Sequence, residues 1–338
     1  MKNVYRIIDA NINRAMEGLR VIEEIARFHL EDPGFTRTIK DFRARFKAAT
    51  SRIPKEKLLA ARASLSDVGG KLYTAPESKR SKIEEIFYAN IKRSEESMRV
   101  LEEFSKLIDP AFGRYFKTIR FDLYEIEKRM GRKLLLDFGL YVITDPSRNP
   151  IKTIREAGKA GVRIVQLRDK SSNKTAFIRT AQKARQVTRK LGMRLIINDH
   201  IDIAKKIGAD GVHIGSEDQD IKYARKALGS GKIIGVSAST PSEARRAERD
   251  GADYIGFGPV FRSAIKPSVK PLGINKLAKI VKSVNIPVVA LGGINNSNID
   301  QVIKYTGQVA VISAVLGERD MKKAALRLIE SIGEDGVD

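Results

Sequence analysis

Residues 233–260 read IIGVSASTPSEARRAERDGADYIGFGPV, and two textures alternate along them. The runs 233–236 and 254–260 are short and apolar, the signature of strands buried on both faces, whereas 241–249 between them reads as an amphipathic helix. The same alternation extends outward. Upstream lie the apolar runs 140–144, 164–167, 195–197 and 212–214, and downstream 288–291 and 309–312, with helix-like segments such as 175–191, 275–283 and 321–332 between and after them. Eight strand–helix units in about 200 residues predict a compact (β/α)8 TIM barrel over residues 134–338. A doubly wound sheet, built on about five to seven strands, is the alternative.

Residues 1–133 lack such runs. Apolar residues recur there at helical spacing in Ile8, Ile12, Ala15, Leu19, Ile22 and Ala26, which predicts an all-α domain ahead of the barrel. The domain carries an internal duplication: ANINRAMEGLRVIEE at 10–24 matches ANIKRSEESMRVLEE at 89–103, and each copy then reaches Asp-Pro-x-Phe, at Asp32 and at Asp109. Each copy is thus expected to be a helix pair whose second helix starts at its Asp-Pro. Asn11, Arg14, Glu17 and Arg20 recur as Asn90, Arg93, Glu96 and Arg99, three apart on one polar helix face. Such a face is either a solvated, ion-paired surface or seam, or the lining of a pocket between the halves. The intervening loop, 62–70, combines Arg62, Asp67 and Gly69-Gly70, a set that can serve a phosphate and its magnesium. No P-loop motif occurs.

Composition narrows the classes. The 338 residues contain no Cys, which removes disulfides, thiolate nucleophiles and Cys-ligated metals. No run approaches the roughly 18 apolar residues of a membrane span, and the amino terminus lacks a signal-peptide core, so a cytoplasmic protein is expected. The net charge of +22 is diffuse: residues 1–140 hold 29 basic and 21 acidic side chains and the remainder 34 and 20. Without a basic tail the excess suits small phosphorylated ligands better than nucleic acid. A homo-oligomer is left open.

In a TIM barrel the working residues sit at the carboxyl ends of the strands. Just past the predicted strands come Asp145; Gln166, Arg168 and Lys170; Asn198 and Asp199; Glu217 and Asp218; Ser237; Ser263 and Lys266; Gly292 and Gly293; and Ser313. Singly these are turn residues, caps and solvated lysines. Together they describe a site for a phosphorylated, magnesium-bound substrate better than one for acid–base hydrolysis. His213 lies inside a strand and reads as a packed, hydrogen-bonded histidine rather than a metal ligand.

The motifs LYVITD (140–145), VQLRDK (165–170), IIND (196–199), GADGVHIGSED (208–218), GVS (235–237), GADYIGFGPVF (251–261) and ALGGI (290–294) closely resemble, in order and spacing, those of the thiamine phosphate synthase family. The resemblance implies a transferase that joins hydroxymethylpyrimidine pyrophosphate to thiazole phosphate with Mg2+. It makes Gln166, Arg168, Lys170, Asn198 and Lys266 contacts for the pyrimidine pyrophosphate, Asp199 and Asp218 magnesium ligands, and Ser237 a hydroxyl in the pyrimidine site. Arg168, Lys170, Lys266 and Ser237 are the residues it assigns to catalysis. Gly293, Ile312 and Ser313 match the cradle for the thiazole phosphate. The family's P-T-x-T-K loop reads Arg262-Ser263-Ala264-Ile265-Lys266 here, so Ser263 keeps the first hydroxyl and Ile265 replaces the second. Ser216 replaces a Gln common in the family. Neither change removes a magnesium ligand or a pyrophosphate cation. The nearest rival within the fold is a thiazole tautomerase-like relative, which has no pyrophosphate to bind.

Residues 1–130 resemble the hydroxymethylpyrimidine phosphate kinase-type domain fused ahead of this synthase in some bacteria, on the ANIxRAxEGLRVIEE signature and the Asp67-Val68-Gly69 loop. A purely structural or oligomerising role is the alternative.

Overall fold

The computed structural model describes residues 1–62, 80, 83–215, 220–263, 265 and 267–334. The chain divides into two units, Met1–Leu135 and Leu136–Asp338.

The first unit is helical. In α1 (Lys2–Glu24) the 3.6-residue spacing brings Ile8, Ala15, Leu19 and Ile22 to one fully buried stripe, and the helix continues into a π-helical segment, Ile25–His29. Then follow α2 (Pro33–Thr50), α3 (Lys55–Ala61), α4 (Ile83–Ser105) and α5 (Pro110–Leu135). Helix α4 packs against both α1 and α5, around a core that includes Phe42, Phe46, Phe87 and Phe116. Asp32 caps α2 as its Asp-Pro predicts: the carboxylate accepts from Phe35 N at 2.8 Å, and Pro33 occupies a position whose missing N–H costs nothing. Asp109 accepts from Ala111 N at 2.8 Å at the start of α5. On the predicted polar face Arg14, Glu17, Arg20, Arg93, Glu96 and Arg99 are exposed, whereas Asn11 is buried and Asn90 half-buried, donating to the Ile7 and Ile86 carbonyls at 2.8 Å. Arg20 and Arg99 pair along their own helices with Glu23 and Glu102. Of the 62–70 loop only Arg62 is described, and its guanidinium donates twice to Asp9 at 2.8 Å; residues 63–70, Asp67 included, lie outside the described residues.

The second unit is a closed barrel of eight parallel strands in chain order. They are β1 (Leu140–Ile143), β2 (Ile164–Leu167), β3 (Arg194–Asn198), β4 (Gly211–Ile214), β5 (Ile233–Ser237), β6 (Tyr254–Phe257), β7 (Val288–Leu291) and β8 (Val309–Val311). Helices α6 (Pro150–Lys159), α7 (Lys174–Lys190), α8 (Ile201–Ile207), α9 (Ile221–Leu228), α10 (Pro241–Asp250), α11 (Ile274–Val281) and α12 (Asp300–Ile303) connect them; the short α13 (Ser313–Leu316) and α14 (Met321–Glu334) follow β8. The apolar run 254–260 is a strand only as far as Phe257, because Pro259 has no N–H to give a ladder.

The two GAD turns end at carboxylates that pin the opposite, amino-terminal rim. Asp210 accepts from Leu195 N at 2.8 Å and pairs with Arg185 at 2.5 Å. Asp253, 3% exposed, accepts from Ile234 N at 2.7 Å and pairs with Arg225 at 2.7 Å. These acids lie at the end of the barrel that carries stability rather than chemistry. Among the described residues no helix is long and apolar enough to cross a membrane.

Candidate active site

Parallel strands that all end on one rim deliver their last residues to a common mouth, and here that mouth is a pocket of about 220 Å3. Gln166, Arg168 and Lys170 from β2 and its loop, Asn198 and Asp199 from β3, and Ser237 from β5 line it together. Ser263 and Ile265 after β6, Gly293 after β7, and Ile312 and Ser313 after β8 complete the rim. The apolar wall includes Ile143, Val289, Leu291 and Ile294. Asp218, Lys266 and Ser216, also expected at this rim, lie outside the described residues, as does Glu217.

Each group is held by its strand end. Thr144, buried just past β1, accepts from Arg168 N at 3.0 Å, and the Arg168 guanidinium stands 3.7 Å from Asp145. Lys170 lies within a tight turn: Asp169 accepts from the backbone N–H and hydroxyl groups of Ser171 and Ser172. Burial opposes ionisation of Asp169, but those hydrogen bonds outweigh it and bring the carboxyl down to about 2. Lys170 Nζ reaches Asp199 at 3.8 Å while remaining largely exposed, so the pair is weak and the lysine can swing to a ligand at little cost.

Asp199 adopts a left-handed backbone conformation, φ +62°, which aspartate tolerates better than most residues. Its carboxylate accepts from Asn198 Nδ2 at 2.5 Å. Among the described residues no group of three His, Cys, Asp or Glu side chains forms a metal cage. The donors at this corner are hard oxygens, however, and Mg2+ is ordinarily held by one or two carboxylates together with substrate phosphates, so the residues present fit that ion.

Gly293, in the turn after β7, lines the pocket and packs tightly against the loop after β6. Its φ is +72°, and a Cβ there would lie 2.5 Å from the Arg262 carbonyl oxygen, so no other residue fits without moving the chain. Asn298 Nδ2 holds the Gly293 carbonyl at 2.9 Å, fixing the turn.

Beneath the rim runs a buried polar chain that the strand-end reading misses. Gln166 Nε2 donates to the Tyr141 hydroxyl at 3.1 Å, which lies 3.1 Å from the Tyr254 hydroxyl; that group is 3.0 Å from His213 Nδ1, and His213 Nε2 is 3.0 Å from Ser237 Oγ. His213 is therefore a packed, hydrogen-bonded histidine. Burial lowers its pKa to about 4, which keeps the ring neutral at physiological pH, and burial raises both tyrosine hydroxyls well above their ordinary value. Only glycines in the facing strands hint at this chain in the sequence. Gly235 lies between His213 and Tyr254 in the ladder, where any Cβ would overlap the Tyr254 ring, and a Cβ on Gly256 would meet His213 Cε1 at 2.7 Å.

Residues 140–315 match the family model described as thiamine monophosphate synthase, and relatives match across nearly the whole chain. A thiamine-phosphate synthase of Synechocystis is 37% identical over 97% of this chain and 96% of its own length. The chain belongs to the thiamine monophosphate synthase family. It is accordingly a transferase of thiamine biosynthesis. A thiamine-phosphate synthase of Nostoc punctiforme is 38% identical over 93% of this chain and 90% of its own. Among solved structures, a thiamine phosphate pyrophosphorylase from Pyrococcus furiosus is 38% identical and superposes with a TM-score of 0.56, covering 61% of this chain and all of that one. That share is what the synthase barrel alone requires. Residues 6–129 match a separate model, the ThiD2 family.

Proposed function

We propose that the barrel joins the methylene carbon of hydroxymethylpyrimidine pyrophosphate to the ring nitrogen of thiazole phosphate, releasing pyrophosphate and thiamine phosphate. The observation that carries this reading is the meeting of cations, carboxylate, amide and hydroxyl groups from β2, β3 and β5 with the glycine turn after β7 in one pocket. Arg168, Lys170 and Lys266 bind the pyrophosphate, with Asn198 beside it. Asp199 and Asp218 would hold Mg2+, which supplies charge neutralisation for the leaving oxygens when bound.

The carbon–oxygen bond breaks first, its electron pair leaving with the pyrophosphate and a pyrimidine cation remaining. Cations preorganised in a partly dry site stabilise that departing charge, an effect worth about 3 to 4 kcal/mol for a single such group. Gln166 and Ser237 hold the pyrimidine ring in place, and the Gly293, Ile312 and Ser313 backbone cradles the thiazole phosphate so that its ring nitrogen closes the new carbon–nitrogen bond. Such phosphate cradles after strands seven and eight recur in this architecture. No protein nucleophile or strong base is needed. Asp199→Ala should abolish turnover at ordinary magnesium with the fold intact by circular dichroism; unchanged turnover would remove the proposed metal role.

The helical unit we read as a duplicated helix pair that phosphorylates hydroxymethylpyrimidine phosphate to make the barrel's substrate. Matched ion pairs support the duplication: Glu23 is held by Arg20 and Arg43, and Glu102 by Arg99 and Arg120. The full chain given the monophosphate, ATP, thiazole phosphate and magnesium should form thiamine phosphate, and Asp67→Asn should stop this while sparing the reaction from ready-made pyrophosphate. Failure of the full chain on the monophosphate would leave the unit a structural role.

A further inference from the structure

We infer that the chain Gln166–Tyr141–Tyr254–His213–Ser237 runs in one direction through the barrel interior and thereby sets which pyrimidine the pocket accepts. Its four contacts all lie between 3.0 and 3.1 Å, and the orientation of the Gln166 amide sets the order of the protons along them. Each tyrosine has one hydroxyl proton, and a neutral imidazole has one N–H. Gln166 turns its amide nitrogen to Tyr141. Tyr141 therefore gives its own proton to Tyr254, and Tyr254 gives its proton to His213 Nδ1. The one imidazole proton is then on Nε2, where it is donated to Ser237 Oγ.

Two consequences appear at the ends of the chain, both of which line the pocket. The Gln166 carbonyl is left to act as an acceptor, and the Ser237 hydroxyl, already accepting from His213, is left to donate. An acceptor and a donor held apart in this way complement an aminopyrimidine, which offers an exocyclic N–H and a bare ring nitrogen. An oxopyrimidine offers the opposite order, a carbonyl and a ring N–H, and would leave buried polar groups facing like groups. Were the chain to run the other way, the preference would invert. Tyr141, Tyr254 and His213 line the floor of the same pocket, but their hydroxyl and ring N–H groups are taken up within the chain, so they act as positioning residues that order Gln166 and Ser237; the specificity part rests on the synthase reading above.

The glycines give the chain its route. His213, Gly235 and Tyr254 are neighbours across β4, β5 and β6, and because Gly235 has no side chain the two rings meet over it, 5.5 Å apart and 29° from parallel. Gly256 likewise leaves room for the edge of the imidazole.

Nitrogen NMR of the full chain carrying isotope-labelled histidine tests the direction without any substrate. His213 signals, assigned by their loss in His213→Gln, should report a protonated Nε2 and a bare Nδ1 at neutral pH; a protonated Nδ1 would overturn the proposal. Kinetics then test the consequence, using 4-amino and 4-oxo pyrimidine pyrophosphates in parallel. The unaltered protein should favour the amino substrate by at least about a hundredfold in kcat/KM. Tyr254→Phe and, as a second variant should that one fail to fold, Tyr141→Phe should narrow this preference by about tenfold, the worth of one hydrogen bond. The KM for thiazole phosphate should stay within about threefold. His213→Gln, which can still accept from Tyr254 and donate to Ser237, should keep more of the preference than His213→Leu. Undiminished preference in the tyrosine variants would overturn the specificity role. If the unaltered protein uses neither pyrimidine, the synthase reading fails and the specificity role with it, while the histidine tautomer still decides the direction of the chain.

Discussion

Replacing Gly293 by alanine separates the two halves of the proposed site. The residue has φ +72°, a region that costs an L-amino acid roughly 1 to 2 kcal/mol. The added methyl would sit 2.5 Å from the Arg262 carbonyl oxygen and 2.9 Å from both the Phe261 carbonyl carbon and its Cβ, and overpacking of this kind costs about 1 to 3 kcal/mol. The sum, about 2 to 5 kcal/mol, is relieved by moving the loop after β7 away from the loop after β6, which distorts the cradle assigned to the thiazole phosphate. At about 1.4 kcal/mol per tenfold, the low end of that range raises the KM for thiazole phosphate about thirtyfold. Because the loop after β7 is the one that moves, the groups on β2, β3 and β5 and the loop after β6 that carries Lys266 keep their places, so the KM for the pyrimidine pyrophosphate should remain within about threefold. Initial rates with each substrate varied in turn provide the assay. An equal rise in both constants, or none in either, would refute the assignment of Gly293 to one substrate.

Ile265→Thr restores the second hydroxyl of the family's loop and should lower the KM for a phosphorylated substrate by up to about tenfold, near 1.4 kcal/mol; an unaltered constant in initial-rate measurements would mean that another group already fills that place. Asp32→Ala removes the cap of α2 and should cost about 1 kcal/mol at neutral pH in urea unfolding. Burial opposes ionisation of Asp32, but Lys133 and the N–H groups of Phe35 and Gly34 outweigh it and hold the carboxyl below 3.8. The folded state is thus the stronger acid, so this contribution is fully present above the ordinary value and is lost as pH falls through the folded-state value. The difference between the two proteins should shrink in that window; a constant difference down to strongly acid pH would contradict the ionised cap. Residues 133–338 alone should still make thiamine phosphate from the ready-made pyrophosphate, since a relative of barrel size stands as a separate chain; an inactive but folded fragment would mean that the helical unit takes part in the reaction.

The barrel is legible in the sequence because a strand covered on both faces must be apolar throughout, and each such run is short and punctuated. The polar rim is legible for the complementary reason: Arg168, Asn198, Asp199 and Ser237 interrupt apolar runs at the strand ends, where packing alone gives them no place. The end of β6 is misjudged because Phe257 and Val260 are both apolar, and only the missing N–H of Pro259 separates strand from loop. The interior chain is hidden more deeply. A tyrosine in a strand reads as core, and Tyr254 meets His213 across 41 residues and Tyr141 across 113. What the sequence does contain is the pair of glycines opposite those rings, whose meaning depends on a register that only the closed barrel supplies.

The account stands most directly on product analysis of the intact protein incubated with hydroxymethylpyrimidine pyrophosphate, thiazole phosphate and magnesium. Thiamine phosphate and pyrophosphate should appear in equal amounts, at a rate that falls to background when thiazole phosphate is left out. Release of pyrophosphate without thiamine phosphate, or no consumption of the pyrimidine at all, would contradict the proposed joining reaction.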